Sequence, residues 1–166
     1  LSDLPYRLNV GAALFNRAGQ VFIGRRADMP DRAAMGLAAQ VWQMPQGGID
    51  EGEDPRAAVL RELAEETGTD KAEIIGEHTD WLNYDLPPEL VGRLFGGRYR
   101  GQRQRWFALR FLGEDADFRL DAHLHPEFVA WRWAALAEVA DLCVPFKRAT
   151  YLTVAASFAP FARAER

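Results

Sequence analysis

The chain has 166 residues, 48% of them hydrophobic and 27% charged, a formal net charge of −4 and one cysteine, Cys143. That length suits one domain able to bury about 70% of its unfolded surface, and the composition is that of an ordinary globular protein. The acidic balance argues against an extended nucleic-acid footprint but leaves room for recognition of a single phosphorylated end; no apolar run is long enough to cross a bilayer, and a lone cysteine excludes an internal disulfide and fits a reducing cytoplasm.

Taken in chain order, Leu8 to Phe15 is apolar and β-compatible, and Gln20 to Arg26 is expected to pair with it across an Asn16-Arg17-Ala18-Gly19 turn. Residues 27–40 read as a loop with Pro30 and Gly36, followed by a short extended piece, Val41 to Pro45. A helix is expected over 54–68, with Asp54 as N-cap, Pro55 in the first turn and Gly68 as the residue that ends it. Val59, Leu60 and Leu63 are its expected apolar side.

Strands are expected at Ile74 to Asp80, at Arg105 to Leu112 as a buried sheet member, and at Phe128 to Trp133, with Trp131 and Trp133 on one face toward the core. Pro87-Pro88 and Gly96-Gly97 punctuate the loop that runs to Gly101. Ala134 to Ala140 reads as a short helix and Pro145 to Ala159 as a C-terminal one, while Cys143, between Leu142 and Val144, reads as a small buried hydrophobe. Periodicity alone reaches α/β or α+β. No secretory signal pattern is visible, and no repeat or low-complexity segment appears.

The stretch from Gly47 to Thr69 carries the chemistry. A helix turns about 100° per residue, so Glu62, Glu65 and Glu66 fall within about 100° of one another. Like charges so placed weaken a helix, unless a divalent cation sits among their oxygens. Taken alone, Glu-Leu-Ala-Glu-Glu is most often a solvated helix face. Here it comes with Gly47, Glu53, Arg61, Leu63 and Gly68 at fixed spacing. His123-x-His125 has no second ligand pair and reads as an ordinary loop. No nucleophile elbow, Walker loop or dinucleotide fingerprint is present.

The segment Gly47 to Thr69 closely resembles the signature of the Nudix hydrolases, with Thr69 departing from the pattern's final apolar residue. The resemblance runs from about residue 6 to residue 152. It includes Tyr6 to Gly11, Trp42-Gln43-Met44-Pro45-Gln46-Gly47-Gly48-Ile49, Trp81-Leu82-x-Tyr84-x-Leu86-Pro87, Gly101 to Phe107, Pro126-Glu127-Phe128-x-x-Trp131-Arg132-Trp133 and Phe146-Lys147-Arg148. This combination resembles the branch of bacterial RNA pyrophosphohydrolases, also described as dinucleoside polyphosphate hydrolases. Leu8 stands where that branch commonly has Pro, Val41 where a Ser can stand, and the 27–40 loop is longer than in some relatives.

The resemblance implies a single Nudix domain over 1–166, a mixed β-sheet sandwiched between helices, and hydrolysis assisted by Mg²⁺ or Mn²⁺, with more than one ion when substrate is bound. It implies Glu62, Glu65, Glu66 and Glu127 as metal ligands, a loop carbonyl near Gly47 as a further one, and Arg61 as the residue orienting Glu62. Glu62, Glu66 and Glu127 compete for the role of general base. Arg26, Phe146 and Lys147 resemble contacts to an RNA 5′ end; Arg7 and Tyr84 resemble phosphate or nucleotide contacts, and Arg103 and Arg105 suit a polyphosphate channel. The implied partner is a 5′-phosphorylated single-stranded RNA end. Diadenosine tetra- or pentaphosphate, cleaved asymmetrically to ATP, is the first alternative, and a non-catalytic nucleotide- or RNA-binding module is a distant one. No membrane and no obligate protein partner are implied.

Overall fold

The computed structural model describes residues 3–26, 41–122 and 125–165, so the expectations for the 27–40 loop and for His123 lie outside the described residues. Seven strands and three α-helices are found among them. The strands are β1 (Tyr6–Phe15), β2 (Val21–Arg26), β3 (Trp42–Gln43), β4 (Gln46–Gly48), β5 (Ala72–Asp85), β6 (Gly101–Phe111) and β7 (Phe128–Ala134). The helices are α1 (Pro55–Thr67), α2 (Val139–Leu142) and α3 (Arg148–Phe158).

One mixed sheet runs β3-β2-β1-β6-β5, with β4 also paired to β1 and β7 to β2. The central pair β1 and β6 is parallel over ten residues, from Tyr6 opposite Gly101 to Phe15 opposite Arg110. The expected antiparallel pairing of β1 with β2 is present, its registered pair being Phe15 with Val21 beside the turn. Beyond the turn β1 lies between β4 and β6, and β2 pairs along its length with β7. The turn itself forms as expected, with Asn16 Oδ1 accepting from the backbone N–H of Ala18 and Gln20.

Strand alternation sends side chains to two faces. One face packs Trp106, Ala13 and Ile23 against Tyr151, Val154 and Phe158 of α3. The other packs Val10, Phe107 and Leu109 against Ala58, Val59 and Leu63 of α1. Trp131 and Trp133 join this second layer half-buried, and Trp131 stacks on Phe22 at 5.6 Å between ring centroids. The sheet is therefore sandwiched between helices, as expected.

Local chemistry sets the element ends. Asp54 accepts from the N–H groups of Arg56 and Ala57 at 3.1 and 3.3 Å, a cap worth about 1 kcal/mol. Gly68 closes α1 in the left-handed region at φ 76°. Leu60 is the exception to the expected apolar side of α1: it is 38% exposed, because it lies about 100° round the helix from Val59. The strand expected at 74–80 extends over Ala72–Asp85 because β6 pairs with it throughout, with irregularities between Ile74 and Gly76 and between His78 and Leu82. Ala134 closes β7, so the short helical stretch starts at Leu136. The C-terminal helix opens with a 3-10 turn at Pro145–Lys147 before α3 begins. Cys143 is half-buried against the α3 layer. No helix among the described residues is long and apolar enough to cross a membrane.

Candidate active site

A cleft of about 330 Å³ opens where β4 lies between β1 and α1. It brings together Glu62 and Glu66 from α1, Glu127 from the turn before β7, Arg7 from β1, Arg26 at the end of β2, Tyr84 from β5, and Phe146 and Lys147 from the turn before α3. Residues distant in sequence converge because β1 sits at the centre of the sheet. Gly47 lines the cleft directly over Glu62, and a β-carbon on residue 47 would overlap the Glu62 carboxylate.

Arg61 organises the box. Its Nε and Nη2 donate to the two Glu53 oxygens at 2.8 Å each, and Nη2 also donates to the Gly48 carbonyl at 2.9 Å. Its Nη1 donates to Glu62 at 2.9 Å and to Glu65 at 3.2 Å. This guanidinium holds the Glu53 carboxyl down to about 2. Arg61 thus ties the box loop to the helix; Glu65 reaches it from outside the cleft lining.

The cleft's acids differ in environment. Burial raises the Glu66 carboxyl well above the ordinary carboxylate range, reinforced by Glu127 and Glu62. Burial likewise raises Glu62, against the pull of Arg61. Glu66 Oε2 is buried with no hydrogen-bond partner, a costly condition for a carboxylate oxygen. Among the described residues no group of three or more His, Cys, Asp or Glu is gathered tightly enough to hold a metal; Glu62 and Glu65 are turned to Arg61, and Glu127 reaches Arg26 at 3.5 Å. The donor set nevertheless fits a hard divalent cation. All the donors are oxygens, one is orphaned, and the mutual repulsion of the acids is what a cation relieves.

The cations and rings occupy the other wall. Lys147 is buried, and burial with Arg26 nearby lowers its ammonium to about 8. Its Nζ lies 3.4 Å from Gln43 Oε1 and 5.8 Å from the Tyr84 ring centroid. The rings of Tyr84 and Phe146 are 5.7 Å apart. Arg7 lies over Phe95 at 5.2 Å, and Phe95 holds φ 53° in the left-handed region, a conformation costing about 1–3 kcal/mol for a non-glycine.

Arg103 and Arg105 are placed elsewhere, a correction to their expected part in a polyphosphate channel. Gln102 lines the cleft, so its neighbours on β6 face the opposite side of the sheet. There both guanidiniums lie over Trp81, at 5.4 and 5.5 Å, and Arg105 pairs with Glu77 at 3.0 Å. The reading from sequence missed Asn9, Gln43, Gln46, Phe95 and Gln102 in the cleft. Alternation along β6 carried the signal for Gln102; nothing in the sequence marks Phe95.

The fold and site define a phosphoanhydride hydrolase of the Nudix class, and the comparisons with known proteins agree. The NUDIX domain profile matches residues 5–153, and the chain belongs to the Nudix family. It is 60% identical over 163 residues to an RNA pyrophosphohydrolase of Acidiphilium cryptum, covering 98% of this chain and 95% of that protein. It is 57% identical over 162 residues to one of Gluconacetobacter diazotrophicus, covering 98% and 96%. Among solved structures, the E. coli dihydroneopterin triphosphate pyrophosphohydrolase matches with a TM-score of 0.66 at 20% identity, over 92% of this chain and 99% of that chain. A C. elegans Ap4A hydrolase complex matches at 0.63 and 17%, over 93% and 98%. The two structural matches are likenesses of fold. Nudix hydrolases generally use divalent metal ions.

Proposed function

We propose that this single-domain chain is an RNA pyrophosphohydrolase that converts a 5′-triphosphate or 5′-diphosphate RNA end to a 5′-monophosphate. The observation that carries the reading is one cleft in which Glu62, Glu66 and Glu127 adjoin the cations Arg7, Arg26 and Lys147 and the paired rings of Tyr84 and Phe146. Rings beside phosphate-binding cations suit the end of a single strand, where an unstacked base is available. The relatives at 57–60% identity, themselves named RNA pyrophosphohydrolases, support the same substrate.

In this reading Glu62, Glu65, Glu66 and Glu127, with a carbonyl of the Gly47 loop, hold Mg²⁺ or Mn²⁺, more than one ion when substrate is bound. The metal supplies charge neutralisation on the phosphates and activation of water. Arg7, Arg26 and Lys147 hold the phosphate oxygens, and Phe146 stacks on a base. Water attacks the α-phosphorus, the α–β phosphoanhydride bond breaks, and pyrophosphate leaves from a triphosphate end or orthophosphate from a diphosphate end. The water proton passes to a carboxylate; Glu66 Oε2 is the buried oxygen with no hydrogen bond to give up. Arg61 keeps Glu62 oriented and takes no proton.

The test compares kcat/KM in Mg²⁺ for a 5′-triphosphorylated RNA with two unpaired 5′ nucleotides and for diadenosine tetraphosphate. Preference for the RNA by tenfold or more supports the reading. Preference for the dinucleotide moves the function to clearance of small nucleotides.

A further inference from the structure

A chain of buried amides lies behind the cleft, and its hydrogen-bond directions are fixed from both ends. Amide oxygen and nitrogen are interchangeable in shape, so only their partners reveal which is which. At the deep end stands Trp106, whose indole N–H can only donate. It donates to Gln104 Oε1 at 3.1 Å. Gln104 must therefore present its NH₂ to its other partners, and it donates to Asn9 Oδ1 at 2.9 Å and to Gln46 Oε1 at 3.3 Å. Asn9 in turn donates from Nδ2 to Gln102 Oε1 at 2.6 Å.

The other end gives the same answer independently. Arg7 can only donate, and its Nη1 donates to Gln102 Oε1 at 3.0 Å. Gln102 must then turn its NH₂ the other way, and Nε2 donates to the Tyr84 hydroxyl oxygen at 2.5 Å. The phenol oxygen thus accepts from Gln102, and its own proton is left to turn to the cleft that Tyr84 lines.

The register makes this arrangement possible. Parallel pairing sets Arg7 beside Gln102, Asn9 beside Gln104 and Gly11 beside Trp106, so alternate residues of two strands share one face. Asn9, Gln102 and Gln104 are at most 1% exposed, and a buried polar network of this kind is stabilising only when every member is satisfied. Gln104 does not line the cleft, so it acts through others.

We propose that Gln102, held by Arg7 and by the Gln104–Asn9 relay, is a positioning residue that commits the Tyr84 hydroxyl to donate a hydrogen bond to a ligand acceptor, a phosphate or base oxygen. The proposal rests on the phosphorylated-nucleotide reading of the cleft. Its mark is directional coupling. Replacing Gln102 by Glu keeps the acceptor for Arg7 and Asn9, with Arg7 holding the carboxylate ionised, and removes the donor to Tyr84. The Tyr84 hydroxyl then donates to that carboxylate instead of to the ligand.

The experiment is a double-mutant cycle of Gln102→Glu and Tyr84→Phe, measured as kcat/KM on 5′-triphosphorylated RNA with proteins that melt cooperatively above the assay temperature. Tyr84→Phe is expected to lose about tenfold, the value of one hydrogen bond to a charged acceptor, chiefly through KM, Gln102→Glu at least as much, and the double variant no more than Gln102→Glu alone. Losses that multiply would overturn the proposal, since a merely structural role for Gln102 leaves the Tyr84 contribution intact. Should Gln102→Glu not fold, the Kd of the same RNA in EDTA is compared between wild type and Tyr84→Phe: about tenfold weaker binding by the variant is expected, and equal binding overturns the proposal. If the wild-type protein turns over diadenosine tetraphosphate and not RNA, the substrate reading fails while the cycle, run on the dinucleotide, still decides the relay.

Discussion

The Cα hydrogens of Gly47 face the carboxylate of Glu62 at a separation that leaves no room for a β-carbon. The glycine is required by this close approach of backbone to a helix side chain. Gly47→Ala should displace Glu62 and disturb its bond to Arg61, lowering kcat by about 100-fold, as misplacement of about 1 Å does. Circular dichroism should report an unchanged fold. Activity within twofold of wild type would show that Glu62 tolerates a different position.

Glu66→Gln should abolish turnover and at the same time stabilise the metal-free protein at neutral pH. The sign follows from its raised carboxyl. Below the unfolded value of about 4.5 both states hold the proton and Glu66 costs nothing. As pH rises past that value the unfolded chain releases its proton and the folded one retains it. Stability then falls by up to about 1.4 kcal/mol per pH unit until the folded value is reached. Tm of the EDTA-treated protein should therefore drop between pH 5 and 8, less steeply in the variant. Adding Mg²⁺ should raise Tm most at the upper end. A wild-type slope equal to that of Glu66→Gln would refute the assignment.

Much of this arrangement was legible in the sequence, for reasons particular residues make plain. The box helix could be read because local chemistry sets it: Asp54 caps it, Gly68 ends it, and Val59 and Leu63 recur at helical spacing. The carboxylates could be read because their repulsion needs a cause. The parallel pairing of β1 with β6 could not, because it joins strands about 95 residues apart and leaves no local mark. How short the β1–β2 pairing is could not be read for the same reason: β4 and β6 take the rest of β1. The arginines of β6 were misplaced because charge drew attention where alternation should have, and the uncharged Gln102 between strand neighbours is the residue that faces the cleft.

Lys147 trades stability for binding. Its ammonium is held at about 8 against an ordinary 10.5, chiefly by burial. Between those values the unfolded chain binds the proton and the folded one does not, so the penalty is fully present below about pH 8 and vanishes as pH rises to 10.5. Lys147→Met, close in volume, should therefore stabilise the protein by up to about 3 kcal/mol at pH 7, while raising KM for the triphosphorylated end. Urea melts and steady-state kinetics on the same preparation test both halves. A variant less stable than wild type at pH 7 would show that the ammonium is better compensated than burial indicates.

Arg7 and Arg103 separate the two faces of the sheet. They sit on adjacent strands, one residue out of register, since Arg7 pairs with Gln102 and Leu8 with Arg103. Arg7 lines the cleft and is anchored by Gln102, while Arg103 lies over Trp81 on the other side. Losing a charged donor to phosphate costs about 1.5–3 kcal/mol, so Arg7→Ala should lower kcat/KM on a short triphosphorylated RNA by roughly 10- to 100-fold. Arg103→Ala removes one exposed cation–π contact and should change stability by about 0.5–1 kcal/mol, with kcat/KM on the same short RNA within about twofold of wild type. Measured side by side, equal losses for the two variants would mean that the phosphates reach round the strand ends to the Trp81 face. A loss confined to Arg7 places the polyphosphate wholly on the cleft side.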